Sequence, residues 1–163
     1  MGEAVRAFVG VGANLGDAQA TVGAALQALQ RLPQSRWGAS SSLYRSAPVD
    51  APGPQYINAA AELHTELSAR ALLECLQAIE QRFGRVRGAR NAPRTLDLDL
   101  LLHGVSCSDD PALTLPHPRA HLRGFVLQPL AELDPGLSLP GLGPVSLWLQ
   151  RAAGQPVQRI ARA

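Results

Sequence analysis

The spacing of apolar residues predicts an α+β protein with an antiparallel sheet laid down in the order β-α-β-β-α-β, helices packed on it and extra C-terminal elements. Two observations predict it. The apolar period switches between two and about 3.6 several times along the chain, the mark of strands alternating with amphipathic helices. Two clear helices are each flanked by strand-like runs, and the last third is cut up by prolines and glycines. With 163 residues, 46% apolar and 17% charged, the chain is expected to form a single domain over residues 1–163 with a real core. Disordered and collagen-like classes are excluded by that composition.

Each element has its own warrant. Val5, Ala7, Val9 and Val11 alternate with Arg6, Phe8, Gly10 and Gly12, a first strand. Asp17 can cap the helix that follows, in which Val22, Ala25, Leu26 and Leu29 share a face before Pro33. Residues 37–45 are serine-rich without helical period and end in a second strand at Leu43-Tyr44-Arg45. A turn-rich loop over 46–54 leads to the third strand. There Ile57, Ala59, Ala61, Leu63 and Thr65 face one way, and Tyr56, Asn58, Ala60, Glu62 and His64 the other. Ser68 opens the second helix, with Leu72, Leu76, Ile79 and Phe83 on its buried side and Gly84 after it. Thr95 to Leu102 form the fourth strand. Short helices are expected near 124–133 and 146–153, with a final edge strand at 157–160. This order is the signature of a ferredoxin-like sheet with its helices on one face.

The charge pattern narrows the function classes. The net charge of +2 is too small to announce a nucleic-acid binder. Seven aromatics, none concentrated on the third strand, argue against an RNA-stacking sheet. The N-terminal residues do not read as a secretion signal, and no run approaches the ~18 apolar residues of a membrane span. A cytoplasmic protein is expected. Cys75 and Cys107 stand far apart, one on a helix face and one in a loop, which suits a reducing compartment. All fifteen cations are arginines, whose planar forks suit phosphate oxygens.

The most informative segment is Arg94-Thr95-Leu96-Asp97-Leu98-Asp99-Leu100. On a strand, Asp97 and Asp99 project side by side while Leu96, Leu98 and Leu100 enter a core. Two neighbouring anions repel each other. A hard divalent cation resolves the conflict, and Mg²⁺ takes one or two carboxylates plus phosphate oxygens and water. Immediately before them, Arg82, Arg85, Arg87, Arg90 and Arg94 place five cations within thirteen residues, in a loop broken by Gly84, Gly88 and Pro93. Guanidinium forks beside a carboxylate pair are what phosphoryl transfer requires. A solvated salt-bridge network is the plain alternative reading of the same charges. The run Gly10-Val11-Gly12-Ala13-Asn14-Leu15-Gly16 misses the dinucleotide fingerprint, whose third glycine would fall at Leu15. His117 and His121 do not make a zinc pair, since Pro118 follows the first and no Glu lies between them.

These residues resemble a known family. Arg94 to Asp99, Gly84-Arg85-Val86-Arg87, Tyr56 to Ala60, Pro116-His117 and Arg123-Gly124-Phe125, with the glycine-rich opening, resemble 6-hydroxymethyl-7,8-dihydropterin pyrophosphokinase of folate biosynthesis, from about Phe8 to Leu133. The resemblance implies transfer of pyrophosphate from the co-substrate ATP to the hydroxymethyl group of the reduced pterin, with release of AMP. It implies two Mg²⁺ ions held by Asp97 and Asp99, and Arg85 and Arg94 gripping the transferring phosphates. Gln77, Glu80, Arg87, Arg90, Leu100, Thr114, His117 and Arg123 are implied on the nucleotide side. For the pterin it implies stacking by Tyr56 and Phe125, hydrogen bonds from Asn58, and backbone contacts from Ser46, Ala47 and Val49. Small-molecule substrates, no nucleic acid, no membrane and a monomer complete the expectation. Two rival classes stay open on the residues alone: a non-catalytic binding module, and a nucleotidyltransferase that would release pyrophosphate instead of AMP.

Overall fold

The computed structural model describes residues 3–47, 53–84 and 96–161. It is a mixed α/β structure built on an antiparallel sheet. β1 (Val5–Ala13) lies between β4 (Tyr56–Thr65) and β5 (Asp97–His103), antiparallel to both. β4 also pairs with β2 (Ser35–Ser40) and β3 (Leu43–Ser46), and β3 with the last strand, β10 (Val157–Ala161). The path across the sheet is therefore β10-β3-β4-β1-β5, with β2 beside β4. Two small ribbons, β6 (Ser108–Asp110) with β7 (Leu113–Leu115) and β8 (Ser138–Leu139) with β9 (Gly143–Pro144), were not expected. Segments of two or three residues carry no readable period.

The two long helices start where their caps predict. Asp17 accepts the Ala20 N–H at 3.1 Å ahead of α1 (Ala18–Leu29), and Ser68 accepts the Ala71 N–H at 3.1 Å ahead of α2 (Ala69–Arg82). Their apolar faces close on Ala7, Val9 and Val11 of β1, Ile57, Ala59, Ala61 and Leu63 of β4, and Leu98 and Leu100 of β5, the main core.

The expectation of helices on one face is corrected here. α3 (Gly124–Leu133) and α4 (Val145–Arg151) belong to a second core on the opposite face, where Val126, Leu127 and Leu130 meet Phe8, Ala60, Leu101 and Leu102. A bulge makes that core possible. Phe8 pairs with Leu102 but Val9 pairs with Leu100, so Leu101 is the extra residue and both leucines reach the second core. The apolar residues at positions 8, 101 and 102 could not stay in water, and the C-terminal third covers them.

The strand expected at Leu43-Tyr44-Arg45 is present as β3, but a further strand, β2, precedes it, and the two are separated at Ser41-Ser42. Ser41 keeps the pairing to β4 by hand. Its N–H donates to the Ala60 carbonyl at 2.9 Å and its hydroxyl accepts the Ala60 N–H at 2.9 Å. Glu132 of α3 receives the Ser42 N–H, the Ser42 hydroxyl and the Tyr44 hydroxyl. One carboxylate thus satisfies the buried polar groups that the interruption exposes. Among the described residues no helix is long and apolar enough to cross a membrane.

Candidate active site

The second core covers only part of its sheet face. At the other end, Gly10 and Gly12 of β1 open a cavity of about 280 Å³. In register, Gly12 stands opposite Asn58 on β4 and opposite Asp97 on β5, and Gly10 opposite Ala60 and Asp99. With strands spaced about 4.8 Å, Asn58 and Asp97 face each other over roughly 10 Å of bare backbone. Tyr56, Asn58, Asp97, Asp99, Arg123 and Phe125 all line this cavity, and Ala47 borders it. One flat floor therefore joins an amide, two aromatic rings, a guanidinium and two carboxylates. Residues about forty apart in sequence, Asn58 and Asp97, share one site because β1 lies between β4 and β5.

Asp97 and Asp99 share the cavity face of β5, as their spacing predicts, while Leu98 between them is buried in the main core. The Asp99 side chain is 45% exposed, open to ligand and water. Among the described residues no three or more His, Cys, Asp and Glu side chains gather as a ready metal cluster. A pair of hard oxygen donors beside open space fits Mg²⁺, which keeps much of its shell for water and phosphate oxygens.

His117 Nε2 lies 3.8 Å from Asp99 Oδ1. Its Nδ1 accepts the Arg119 N–H at 3.2 Å, so in the neutral ring the proton sits on Nε2, toward the carboxylate. The backbone holds the residue in place, with the His117 N–H on the Leu101 carbonyl at 3.0 Å. Burial lowers the imidazole pKa, Asp99 raises it, and Arg123 and Arg119 lower it further, with a net fall below the usual 6.5. The ring is neutral at pH 7 and acts as a donor.

Arg123 and Phe125 come from the entry to α3. The guanidinium lies 5.5 Å from the Phe125 ring centroid, a cation–π contact at the cavity edge. Gln155 ties down this corner: its Oε1 accepts the Gly124 N–H and its Nε2 donates to the Leu122 carbonyl, both at 2.8 Å. Gln155 carries no sequence signal, because the contact spans thirty-one residues.

Other predicted positions fall elsewhere. Glu80 is buried, and its Oε2 accepts the Leu98 N–H at 2.9 Å, fastening α2 to β5 directly behind the aspartates. The Leu100 side chain is turned into the main core, on the sheet face away from the cavity. Thr114 sits on β7 and donates its hydroxyl to the Asp110 carbonyl at 3.0 Å, and Gln77 is exposed on α2. Ser46 is buried on β3 beside Asn58 and is not among the residues lining the cavity. Val49, Arg85, Arg87, Arg90 and Arg94 lie outside the described residues. The floor glycines, rejected as a dinucleotide loop, are the feature that residue-level reasoning missed. Their i, i+2 spacing on a strand was the available signal.

The family described as 7,8-dihydro-6-hydroxymethylpterin-pyrophosphokinase (HPPK) matches residues 8–135. The 2-amino-4-hydroxy-6-hydroxymethyldihydropteridine pyrophosphokinase of Pseudomonas aeruginosa is 48% identical over 136 residues, covering 83% of this chain and 84% of the relative. The enzyme of that name from Haemophilus influenzae is 42% identical over 140 residues, covering 83% and 86%. Among solved structures, a Plasmodium falciparum HPPK-DHPS superposes with a TM-score of 0.74 at 11% identity, over 93% of this chain. This chain spans only 46% of that longer protein, and the likeness bears on fold alone. By the span of the family match and the identity to its relatives, the chain belongs to the 7,8-dihydro-6-hydroxymethylpterin-pyrophosphokinase family.

Proposed function

We propose that the glycine-floored cavity is where this chain carries out its family's reaction, the transfer of pyrophosphate from ATP to the hydroxymethyl group of 6-hydroxymethyl-7,8-dihydropterin, with release of AMP. The observation that carries this reading is the shared floor. Asn58, Tyr56 and Phe125 can receive a flat heterocycle on one side, and Asp97 and Asp99 stand across Gly12 and Gly10 on the other. A pterin lying there presents its hydroxymethyl arm toward the carboxylates.

Bound at Asp97 and Asp99, Mg²⁺ would neutralise phosphate charge and hold the phosphates in line with the acceptor oxygen. The spacing of the pair supports Mg²⁺, and two ions are the family expectation. The chain's own groups do the rest by positioning. Tyr56 and Phe125 hold the ring, and Asn58 sets its register along β4. Arg123, at the Phe125 ring, is placed to meet phosphate oxygens, and His117 Nε2–H donates beside Asp99. Arg85 and Arg94 are proposed for the transferring phosphates, with Arg87 and Arg90 beside them. Their support is sequence position: Arg94 stands three residues before Asp97, at the end of the arginine-rich run. Ala47 and Val49 are proposed as backbone contacts to the pterin, and Gln77, Glu80, Leu100 and Thr114 as family positions on the nucleotide side.

The strand order and two crossing helices support a ferredoxin-like reading of the sheet, within one domain over residues 1–163. A cytoplasmic monomer without nucleic-acid or membrane partners is part of the same proposal; the small net charge of +2 supports the absence of a nucleic-acid partner. The test is a single assay with ATP, Mg²⁺ and the reduced pterin, identifying the released nucleotide. AMP with a pyrophosphorylated pterin is expected. Pyrophosphate release would indicate nucleotidyl transfer, and nucleotide binding without turnover or metal dependence would indicate a binding module.

A further inference from the structure

We propose that Ser46 is a positioning residue that fixes which way round the Asn58 amide stands, and thereby selects a pterin edge offering an acceptor at that point. The proposal rests on the placement of the pterin given above. Asn58 reaches the cavity from β4, and its amide is nearly symmetrical in shape, so only its partners decide which end faces the ligand.

One end is committed. Ser46 Oγ donates to Asn58 Oδ1 at 2.7 Å, with the residues 3% and 6% exposed. Among the described residues the Ser46 hydroxyl meets no other partner. Turning the amide over would point Nδ2 at Ser46 and leave the serine hydrogen buried without an acceptor. The other end is located by Gly12. A Cβ built there would stand 3.1 Å from Asn58 Nδ2, so the nitrogen lies over the glycine floor of the cavity. Asn58 therefore offers hydrogens to a ligand on that floor, with its oxygen held by Ser46 of the neighbouring strand.

An acceptor is what a 4-oxo pterin carries on its amide edge. An analogue with an amino group in place of that oxygen presents hydrogens to hydrogens there. Through its hydroxyl, Ser46 thus contributes to discrimination between the two by way of Asn58.

The experiment is titration calorimetry of the full chain, with an ATP analogue present, against 6-hydroxymethylpterin and its 4-amino counterpart. The wild type is expected to prefer the 4-oxo compound. Ser46→Ala, whose amide is free to turn, is expected to narrow that preference at least five-fold, and Ser46→Thr to restore it. Gly12→Ala, pressing on Nδ2 while leaving Ser46 in place, is expected to weaken both compounds and keep their ratio. A ratio unchanged in Ser46→Ala overturns the proposal. Should Ser46→Ala not fold, Ser46→Cys, a weaker donor in the same space, reads the same ratio with the same consequence. Tight pterin binding that Phe125→Ala leaves untouched would instead overturn the placement of the pterin, whatever the ratio.

Discussion

Across Gly12, Asn58 and Asp97 are the nearest side chains on either side, and the absence of a Cβ between them makes the cavity. At this scale the two halves of the site separate cleanly. Asp97→Asn and Asp99→Asn each remove a negative charge without changing shape, so turnover is expected to fall by about 100-fold or more. Circular dichroism and the melting temperature should stay near the wild type, and AMP release read against Mg²⁺ concentration checks both variants. Phe125→Ala removes a ring from the opposite side. An aromatic pair is worth about 0.5–1.5 kcal/mol beyond its buried area. The KM for pterin should therefore rise roughly ten-fold or more, with the KM for ATP little moved. Equal rises for both substrates would place Phe125 in the fold rather than against the pterin.

Among the elements, the interruption between β2 and β3 shows how the site is held from the side. Glu132 gathers Ser42 and Tyr44, and β3 then delivers Ser46 beside Asn58. Desolvation, the largest influence, pushes the Glu132 carboxyl pKa up. The donations from Tyr44 and from Ser42, with Arg159 nearby, outweigh it and hold the value below the ordinary 4.5. Tyr44 stays protonated far above the usual phenol range, through burial first and then its bond to Glu132. A carboxyl with a lowered folded-state value stabilises in full above its unfolded value and loses that contribution as pH falls through the folded one. The wild type should therefore lose more stability below pH 4.5 than Glu132→Gln does, read as urea midpoints from pH 6 down to pH 3. A parallel pH dependence of the two would refute the assignment. The strands and helices themselves were legible because their periods are long: α3 spans the expected 124–133, and both long helices start at their predicted caps. The break at Ser41-Ser42 was not. Its hydrogen bonds run to Ala60 and Glu132, far away in the chain.

For the molecule as a whole, two cores on one sheet decide where ligands can lie. Leu127, fully buried, joins α3 to the second core beside Phe8 and Leu101. Leu127→Ala should cost about 2–5 kcal/mol in denaturant unfolding. Because α3 also carries Phe125 at its start, pterin affinity should fall in the folded variant, while Leu76→Ala in the main core should spare it. Equal pterin affinity in both variants would disconnect the second core from the site.

The amino-acid sequence by itself determined the order of strands and helices, the common face of Asp97 and Asp99, and the family. These follow from periods, caps and local spacing, which act over a few residues. Only the tertiary structure decided that helices cover both faces of the sheet and that two glycines form the floor. The same holds for Glu80 and Leu100, whose side chains turn away from the cavity, and for Ser46, which reaches Asn58 from the neighbouring strand. Each of those depends on contacts between distant segments, and such contacts exist only once burial of apolar surface has brought the strands together.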